Sequence, residues 1–268
     1  MISFPNAKIN LGLYITEKRK DGFHNIESVF YPIPFNDILE INFASKTSFE
    51  TTGLKIPGKK DDNLILKAYK ALRKDFNIDP VQINLHKQIP MGAGLGGGSA
   101  DGAFAIKQLN DLFGLYLEDE LLKIYASDLG SDCPFFIKNE PSYVTGRGEE
   151  LEEIDLSLNG YYFLLLNPGI HISTPKAYSM IKPNMIDFSL VELINSGPSN
   201  WKGNLKNDFQ DPIIKEHSLI GEIIGDLYTQ GAVYASMTGS GSSVYGIFKE
   251  EQNEIGNLKD FLVWKGKL

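Results

Sequence analysis

The sequence predicts an α+β fold made of two subdomains. Strand-like and helix-like segments are mixed along the chain, without the regular strand–helix–strand alternation of a parallel α/β sheet. The 268 residues, 42% of them hydrophobic, can bury one large core or two modest ones. No internal repeat, low-complexity tract or long flexible linker interrupts them, and we expect two cores.

The first element is an apolar, strand-like segment in which Lys8 stands between Ala7 and Ile9. A lysine among buried apolar neighbours needs a partner, because an unpaired charge is costly to remove from water. The alternative is a lysine on an edge strand whose ammonium group reaches solvent past its own aliphatic stem.

The next element is a helix, indicated by the spacing of Leu64, Ala68, Ala71 and Leu72. Asn63 directly precedes it and could cap its first turn. The lysine pair at Lys59 and Lys60 is typical of a solvated face rather than of a binding patch.

A strand, a glycine-rich loop and a second helix follow between residues 81 and 114. Val81, Ile83 and Leu85 alternate with polar residues as in a half-buried strand. After the loop, helical spacing is shown by Ala103, Ile106, Leu109 and Phe113. The pattern predicts that Ser99 caps this helix and that Gly114 ends it.

The loop itself predicts a phosphate site. Glycines let backbone amides approach a phosphate closely, and the first N–H groups of the following helix carry the positive end of its dipole. Asp101, in the first turn, would repel a phosphate unless it points away. The loop residues are Pro90, Met91, Gly92, Ala93, Gly94, Leu95, Gly96, Gly97, Gly98, Ser99 and Ala100.

Other glycine motifs fit this loop less well. A Walker A loop requires Lys and a hydroxyl residue after its last glycine, whereas Ser99 and Ala100 follow Gly98. Residues 92–97 match the dinucleotide pattern GxGxxG, but the acidic run at 118–120 opens a helix-like stretch instead of following a second strand. A purely structural glycine-rich turn also remains open.

The second half mixes strands and helices. The helix-like stretch after residue 118 is ended by Gly130, which leaves Asp132 in a tight turn before Pro134. An apolar strand is predicted at 161–166 and a loop at 195–200. The weakly patterned stretch 149–159 predicts a boundary between domains at residues 1–155 and 156–268.

Charge and composition exclude several partners. A net charge of −8 and a pI near 5.1 argue against a nucleic-acid or anionic-membrane partner, which requires a basic face. One cysteine permits no internal disulfide, and no leader or apolar run of about 18 residues is present. We therefore expect a cytoplasmic protein. The histidines lack metal-ligand spacing, so no zinc site is predicted.

The loop resembles that of the GHMP small-molecule kinases, which include galactokinase, homoserine kinase and mevalonate kinase. Their loop has Pro, three residues and Gly-Leu-Gly, as at Pro90 and 94–96, although Gly97 and Gly98 replace the frequent Ser-Ser pair. That departure is similar to the branch acting on 4-diphosphocytidyl-2-C-methyl-D-erythritol. Motifs of that branch recur in order at residues 5–11, 21–24, 61–65, 129–136 and 237–243.

The resemblance implies a fold and a reaction. The amino-terminal half is expected to resemble the second domain of ribosomal protein S5, and the carboxy-terminal half to be ferredoxin-like. ATP is the implied phosphate donor and Mg²⁺ the implied metal, with Ser99 its protein neighbour. Lys8 and Asp132 are the implied catalytic pair, and Asn63 would lie near adenine. Local sequence alone favours a different interpretation of Asp132, as a turn carboxylate bonded to its own backbone.

The resemblance also implies a cytidine pocket. Phe23 and Tyr178 would stack on the two faces of cytosine while His24 hydrogen-bonds its edge; Phe23 stands where the family commonly has Tyr. Taken alone, these are ordinary core or surface side chains. Further implied substrate contacts are Asn10, Thr174, Gly239 and Ser240.

Two other functions remain open at this point. The first is another kinase of the superfamily, acting on homoserine or mevalonate, whose substrates contain no base to stack. The second is a nucleotide or sugar sensor that binds without turnover. Retention of Lys8 and Asp132 favours an enzyme over a sensor.

Overall fold

The computed structural model describes residues 1–268. Twelve strands cover Ile2–Ser3 (β1), Asn6–Lys18 (β2), His24–Asn36 (β3), Ile38–Phe43 (β4), Ser48–Gly53 (β5), Val81–Lys87 (β6), Ser142–Thr145 (β7), Glu150–Glu153 (β8), Tyr162–Leu166 (β9), Tyr234–Met237 (β10), Val244–Phe248 (β11) and Leu262–Lys267 (β12). Eight α-helices cover Leu64–Phe76 (α1), Gly97–Leu112 (α2), Asp119–Leu129 (α3), Phe135–Lys138 (α4), Thr174–Ser179 (α5), Leu190–Asn195 (α6), Gln210–Glu216 (α7) and Ser218–Thr229 (α8). None of the helices combines the length and apolar character needed to span a bilayer.

The strands form three four-stranded sheets, in the orders β1-β4-β6-β5, β2-β3-β7-β8 and β10-β11-β9-β12. Only the β5–β6 pair is shown as parallel; the other registered pairs are antiparallel. Sheets that are mostly antiparallel, with helices between their strands in the chain, confirm the predicted α+β class.

The chain divides into two compact units that are interleaved in sequence. The first unit contains residues 1–8, 32–91 and 96–140, and the second contains 9–31, 92–95 and 141–268. The predicted division at 155/156 falls between β8 and β9 and cuts no sheet. Because the two units follow no single break in the chain, that division stays a prediction.

The predicted strand, loop and helix are present, with one correction. β6 covers Val81–Lys87 with alternate residues buried, and Gly114 lies just beyond α2 with a φ of 57°. Ser99, however, does not cap α2. The helix begins at Gly97, and its N-cap is Gly96, whose φ of 67° is the left-handed region. Since glycine enters that region without strain, the loop turns into the helix three residues earlier than the side-chain pattern predicts.

Other predicted elements match closely. Asn63 caps α1 by accepting a hydrogen bond from the Ile65 amide at 2.9 Å. α3 ends at Leu129, and Gly130 follows as its C-cap. The strand predicted from residue 161 is β9, whereas the predicted loop at 195–200 contains a short 3₁₀ helix at Pro198–Asn200. The predicted boundary stretch contains β8.

Candidate functional site

Lys8 and Asp132 form an ion pair within the first unit. The Lys8 Nζ lies 3.5 Å from the Asp132 Oδ2, and their side chains are 4% and 31% exposed respectively. Although β2 is an edge strand, Lys8 does not reach solvent along it, so the alternative of an exposed edge lysine is wrong. Burial lowers the pKa of Lys8, and the Asp132 carboxylate opposes that shift.

The turn that carries Asp132 contacts the start of α2. Asp132 lies between the end of α3 and the start of α4, where the Cys133 amide donates to the Gly130 carbonyl at 3.1 Å. The buried Cys133 thiol is hydrogen-bonded to the Ser99 side chain, and burial raises the pKa of that thiol to about 12. A Cβ at Gly96 would lie 3.1 Å from the Lys8 Cγ. The catalytic candidates and the first turn of α2 are therefore packed together.

The loop backbone depends on its glycines. Gly92, Gly94 and Gly96 all have positive φ, with values of 66°, 79° and 67°. A Cβ at Gly94 would overlap the Thr238 carbonyl oxygen, whereas one at Gly92 would lie 3.7 Å from the His171 ring. Within the second unit, residues 92–95 therefore pass against the turn that follows β10, at a distance only glycine allows.

A buried ionic cluster lies beneath the start of α2. The Lys87 ammonium bonds the Asp37 carboxylate and the Asp101 Oδ2, the latter at 2.8 Å. A Cβ at Gly97 would lie 3.1 Å from the Lys87 Nζ. Burial raises the pKa of Asp101 to about 8; Lys87 opposes this shift and Asp37 adds to it. Asp101 thus points to Lys87, which removes the objection that its carboxylate would face a phosphate.

A cavity of about 390 Å³ adjoins this end of the loop within the first unit. Asn63, Met91, Gly98 and Asp101 contribute to its wall. Asp62 and Leu64, from the family motif at 61–65, also line it, whereas the remaining lining residues were not predicted as part of a site: Phe49, Thr51, Ile56, Pro57, Gly58, Lys59 and Lys60. Lys59 and Lys60 are exposed, as predicted, and they also line this cavity.

No group of three or more His, Cys, Asp or Glu side chains is placed to hold a metal ion. Asp101 is engaged by Lys87, and Asp132 by Lys8. A magnesium ion near the loop would therefore take most of its oxygen ligands from phosphates, as Mg²⁺ commonly does in kinases. These side chains fit a metal ion that is bound mainly by nucleotide phosphates better than one that is bound by the protein alone.

Asn10, in the second unit, is buried and organises the turn after β10. Its side-chain Nδ2 donates to the Ser28 hydroxyl at 2.8 Å, and its side-chain Oδ1 accepts from the Gly239 amide at 3.1 Å. The Thr238 hydroxyl donates to the Gly94 carbonyl at 3.2 Å. Asn10 and Gly239 thus lie together, and both are linked to the loop through Thr238.

The aromatic candidates fall into two separate groups in the second unit, one around Tyr178 and one at Phe23. The rings of His24 and Tyr178 stack at a centroid distance of 4.9 Å, and Phe209 packs edge-on against Tyr178, also at 4.9 Å. Phe23 is 54% exposed and has the Arg147 guanidinium 5.0 Å from its centroid. Burial and the charge of Lys18 lower the pKa of His24.

Thr174 and Ser240 complete the predicted set. Thr174 begins α5, and its hydroxyl lies 3.4 Å from that of Ser240. The structure thus brings together Lys8, Asp132 and the start of α2 in one unit, and Asn10, Gly239 and the tip of the loop in the other. The Phe23–Arg147 and His24–Tyr178 contacts are separate, although Phe23 and His24 are adjacent in the sequence.

Sequence reasoning missed Arg147, Asp37 and Lys87. Arg147 lies between two glycines in Thr-Gly-Arg-Gly-Glu, a turn pattern that could have marked it. Asp37 and Lys87 are far apart in the chain, and no spacing rule joins them. A lysine in the last position of an alternating strand was the one available signal for Lys87.

Comparison with known proteins identifies the family. The family model described as GHMP kinases N terminal domain matches residues 63–140, and that described as GHMP kinases C terminal matches residues 190–259. A 4-diphosphocytidyl-2-C-methyl-D-erythritol kinase of Bacteroides fragilis is 52% identical over 94% of this chain and 93% of its own. The enzyme of the same name from Parabacteroides distasonis is 47% identical over the full length of both.

A solved structure agrees. The crystal structure of a 4-(cytidine 5′-diphospho)-2C-methyl-D-erythritol kinase superposes with a TM-score of 0.79, at 28% identity, over 92% of this chain and 90% of that one. With relatives of about half-identical sequence aligned over nearly the whole chain, and both GHMP models matched in order, this chain belongs to the 4-diphosphocytidyl-2-C-methyl-D-erythritol kinase family of the GHMP kinases.

Proposed function

We propose that this chain is an ATP-dependent kinase that phosphorylates the 2-hydroxyl of 4-diphosphocytidyl-2-C-methyl-D-erythritol, giving the 2-phosphate and ADP in the non-mevalonate route to isoprenoid precursors. The observation that carries the proposal is the ion pair of the buried Lys8 with the half-buried Asp132, packed against the first turn of α2. The names of the relatives supply the substrate.

Phosphoryl transfer has a loose transition state, so the protein mainly has to align the attacking hydroxyl and neutralise charge on the transferred group. We assign the first task to Asp132. A carboxylate is a weak base for a sugar alcohol, so it accepts the proton late and contributes chiefly through orientation.

We assign the charge-neutralising role to Lys8. Its ammonium, 3.5 Å from the Asp132 Oδ2, would stabilise the transferred phosphoryl group and the emerging alkoxide. The free amides at the start of α2, at Gly97, Gly98 and Ser99, would bind the phosphates. Mg²⁺ bound to those phosphates would share their charge, with the Ser99 hydroxyl its proposed protein neighbour.

The cavity beside Asn63 and Met91 is the proposed site of the ATP base, since it adjoins the phosphate loop within the same unit. Its volume of about 390 Å³ falls within the range of small-molecule sites. Asn63 would then cap α1 and line the nucleotide pocket at once.

The acceptor is assigned to residues of the second unit. Phe23 and Tyr178 would stack on the cytosine, and His24 would bond its edge; stacking of a base on an aromatic ring contributes about 1–3 kcal/mol. Because the His24 ring lies on the Tyr178 ring, base stacking there requires His24 to move. Asn10, Thr174, Gly239 and Ser240 are the proposed neighbours of the remaining polar groups.

The test is ADP release by the purified protein with Mg-ATP and 4-diphosphocytidyl-2-C-methyl-D-erythritol, beside homoserine and mevalonate as acceptors. We expect turnover with the cytidylyl acceptor alone. Turnover with another acceptor would keep the phosphate loop but refute the cytidine pocket. Nucleotide binding without turnover of any acceptor would refute the kinase and favour a sensor.

A further inference from the structure

The exposed ring of Phe23 has a cation against one face. The Arg147 Cζ lies 5.0 Å from the ring centroid, within the range of a cation–π contact. Phe23 is 54% exposed, so the rest of the ring remains accessible. One face of the Phe23 ring therefore contacts the guanidinium, and the other face can stack on a planar ligand.

Arg147 is fixed independently of the ring. Its Nε lies 3.0 Å from the Glu149 Oε1, and its backbone amide donates to the Glu149 Oε2 at 2.6 Å. Gly146 and Gly148 flank it with φ values of 65° and 117°, and the Gly148 amide donates to the Thr145 carbonyl at 3.1 Å. This tight turn between β7 and β8 points the guanidinium in one direction.

The backbone of Phe23 is fixed as well. Its amide donates to the Asp21 carboxylate at 3.1 Å, and its carbonyl accepts from the Arg19 amide at 2.8 Å. The two turns are joined by a hydrogen bond of 2.8 Å from the Ile26 amide to the Gly146 carbonyl. What the backbone leaves free is the rotation of the Phe23 side chain.

We propose that Arg147 is a positioning residue that holds the Phe23 ring in the orientation needed to stack on the substrate's pyrimidine base. This inference rests on the proposed function. The guanidinium is attracted to the negative face of the ring, which selects one rotamer before the substrate binds. The base then meets the opposite face without the entropy cost of ordering an exposed side chain.

The experiment is a double-mutant cycle on the full-length enzyme. We expect Arg147→Ala to raise KM for the cytidylyl acceptor about two- to fivefold, with kcat and the KM for ATP unchanged. Phe23→Leu, which removes the ring, should raise that KM at least as much. In the Phe23→Leu background, Arg147→Ala should have no further effect, because the ring through which it acts is gone.

Matched variants separate positioning from charge. Arg147→Lys retains a cation for the ring and should fall between wild type and Arg147→Ala. Lys20→Ala removes one positive charge at an exposed position in the β2–β3 turn that carries Phe23, and should leave KM unchanged. If Arg147→Ala does not fold, Glu149→Gln loosens the guanidinium while keeping it and should raise KM in the same direction.

Three results would overturn the inference. An unchanged KM in Arg147→Ala would show that the ring needs no support. Multiplying effects of Arg147→Ala and Phe23→Leu would show that Arg147 contacts the substrate itself. If the wild type neither turns over the cytidylyl acceptor nor binds cytidine 5′-diphosphate by calorimetry, the proposed function fails and this inference fails with it; turnover with an unresponsive Arg147→Ala refutes the inference alone.

Discussion

The charge state of Lys8 depends on Asp132. A lysine with 4% of its side chain exposed would lose much of its preference for the protonated form, and the carboxylate at 3.5 Å restores part of it. The carboxylate in turn keeps an opposite charge beside it in a partly buried turn. Removing the Asp132 carboxylate therefore also lowers the pKa of Lys8 further, so a substitution at Asp132 is felt at both residues.

The first prediction concerns the carboxylate. We expect Asp132→Asn to lower kcat by about 10²- to 10⁴-fold, because the amide neither accepts the acceptor's proton nor carries charge. The KM values should change little if Asp132 acts mainly in the transition state. ADP release under saturating substrates measures this. The control is Asp128→Asn, an exposed carboxylate on α3, which should behave as wild type; full activity in Asp132→Asn would refute the mechanism.

The second prediction is a pH dependence that originates in Lys8. Burial lowers its pKa, so the ammonium should lose its proton below the ordinary lysine value of about 10.4, and kcat should fall on the alkaline side. Lys8→Arg should remove this alkaline decline, since guanidinium stays charged there. Asp132→Asn removes the negative charge that raises the pKa of Lys8, so the pH dependence of ATP affinity should move to lower pH. An alkaline decline that persists in Lys8→Arg would assign it to another group.

At the scale of elements, the loop requires glycine at some positions for two different reasons: a positive φ, and a lack of space for a Cβ. Gly94 has a φ of 79° and the Thr238 carbonyl directly against its Cα, while Gly92 has a similar φ of 66° with only the His171 ring nearby. Any other residue would be strained at both positions, but the space available for its Cβ differs. They form a natural pair for separating the two effects.

The third prediction uses that pair. Gly92→Ala should lower the free energy of unfolding by about 1–2 kcal/mol through positive-φ strain. Gly94→Ala should cost more, because the added methyl group also forces the loop away from the Thr238 carbonyl. ATP affinity should fall further in Gly94→Ala as well. Denaturant unfolding and nucleotide titration of both proteins measure this; equal destabilisation would show that the loop relaxes away from Thr238 freely.

Local pattern predicted the type of these elements better than their ends. Alternation at Val81, Ile83 and Leu85 identified β6, and helical spacing identified α1, α2 and α3. The start of α2 was wrong because Gly96 and Gly97 have no side chain through which a cap could be recognised. Ser99 has the preferred capping chemistry, but backbone geometry, which propensity does not encode, places it inside the first turn.

Only the family resemblance assigned residues that are distant in sequence, such as Lys8 and Asp132, to one candidate site. Composition and spacing alone left Lys8 and Asp132 as an unexplained lysine and an ordinary turn carboxylate. Arg147 and Phe23 are brought together by a pairing of β3 with β7 that no local pattern reports. The cluster of Asp37, Lys87 and Asp101 has the same origin, since its members come from three different elements or their ends.

At the scale of the whole molecule, the chain passes from one compact unit to the other after residues 8, 31, 91, 95 and 140. The core of the second unit includes three residues from the amino-terminal part of the sequence, Leu13, Ile15 and Ile26. These side chains pack in one cluster with residues such as Leu166 and Phe209. The carboxy-terminal half of the sequence therefore lacks part of the core of the unit it belongs to.

The final prediction follows from that missing part. A fragment of residues 156–268 should not fold cooperatively by itself. Fully burying an aliphatic side chain contributes about 1.5–3 kcal/mol, so three absent core side chains remove roughly 5–9 kcal/mol. That loss is comparable with the total stability of an ordinary domain, about 5–15 kcal/mol. Circular dichroism during heating should show no sharp transition for the fragment and a sharp one for the full chain. A cooperative transition in the fragment would show that residues 9–31 are dispensable to this core and would favour the division at 155/156.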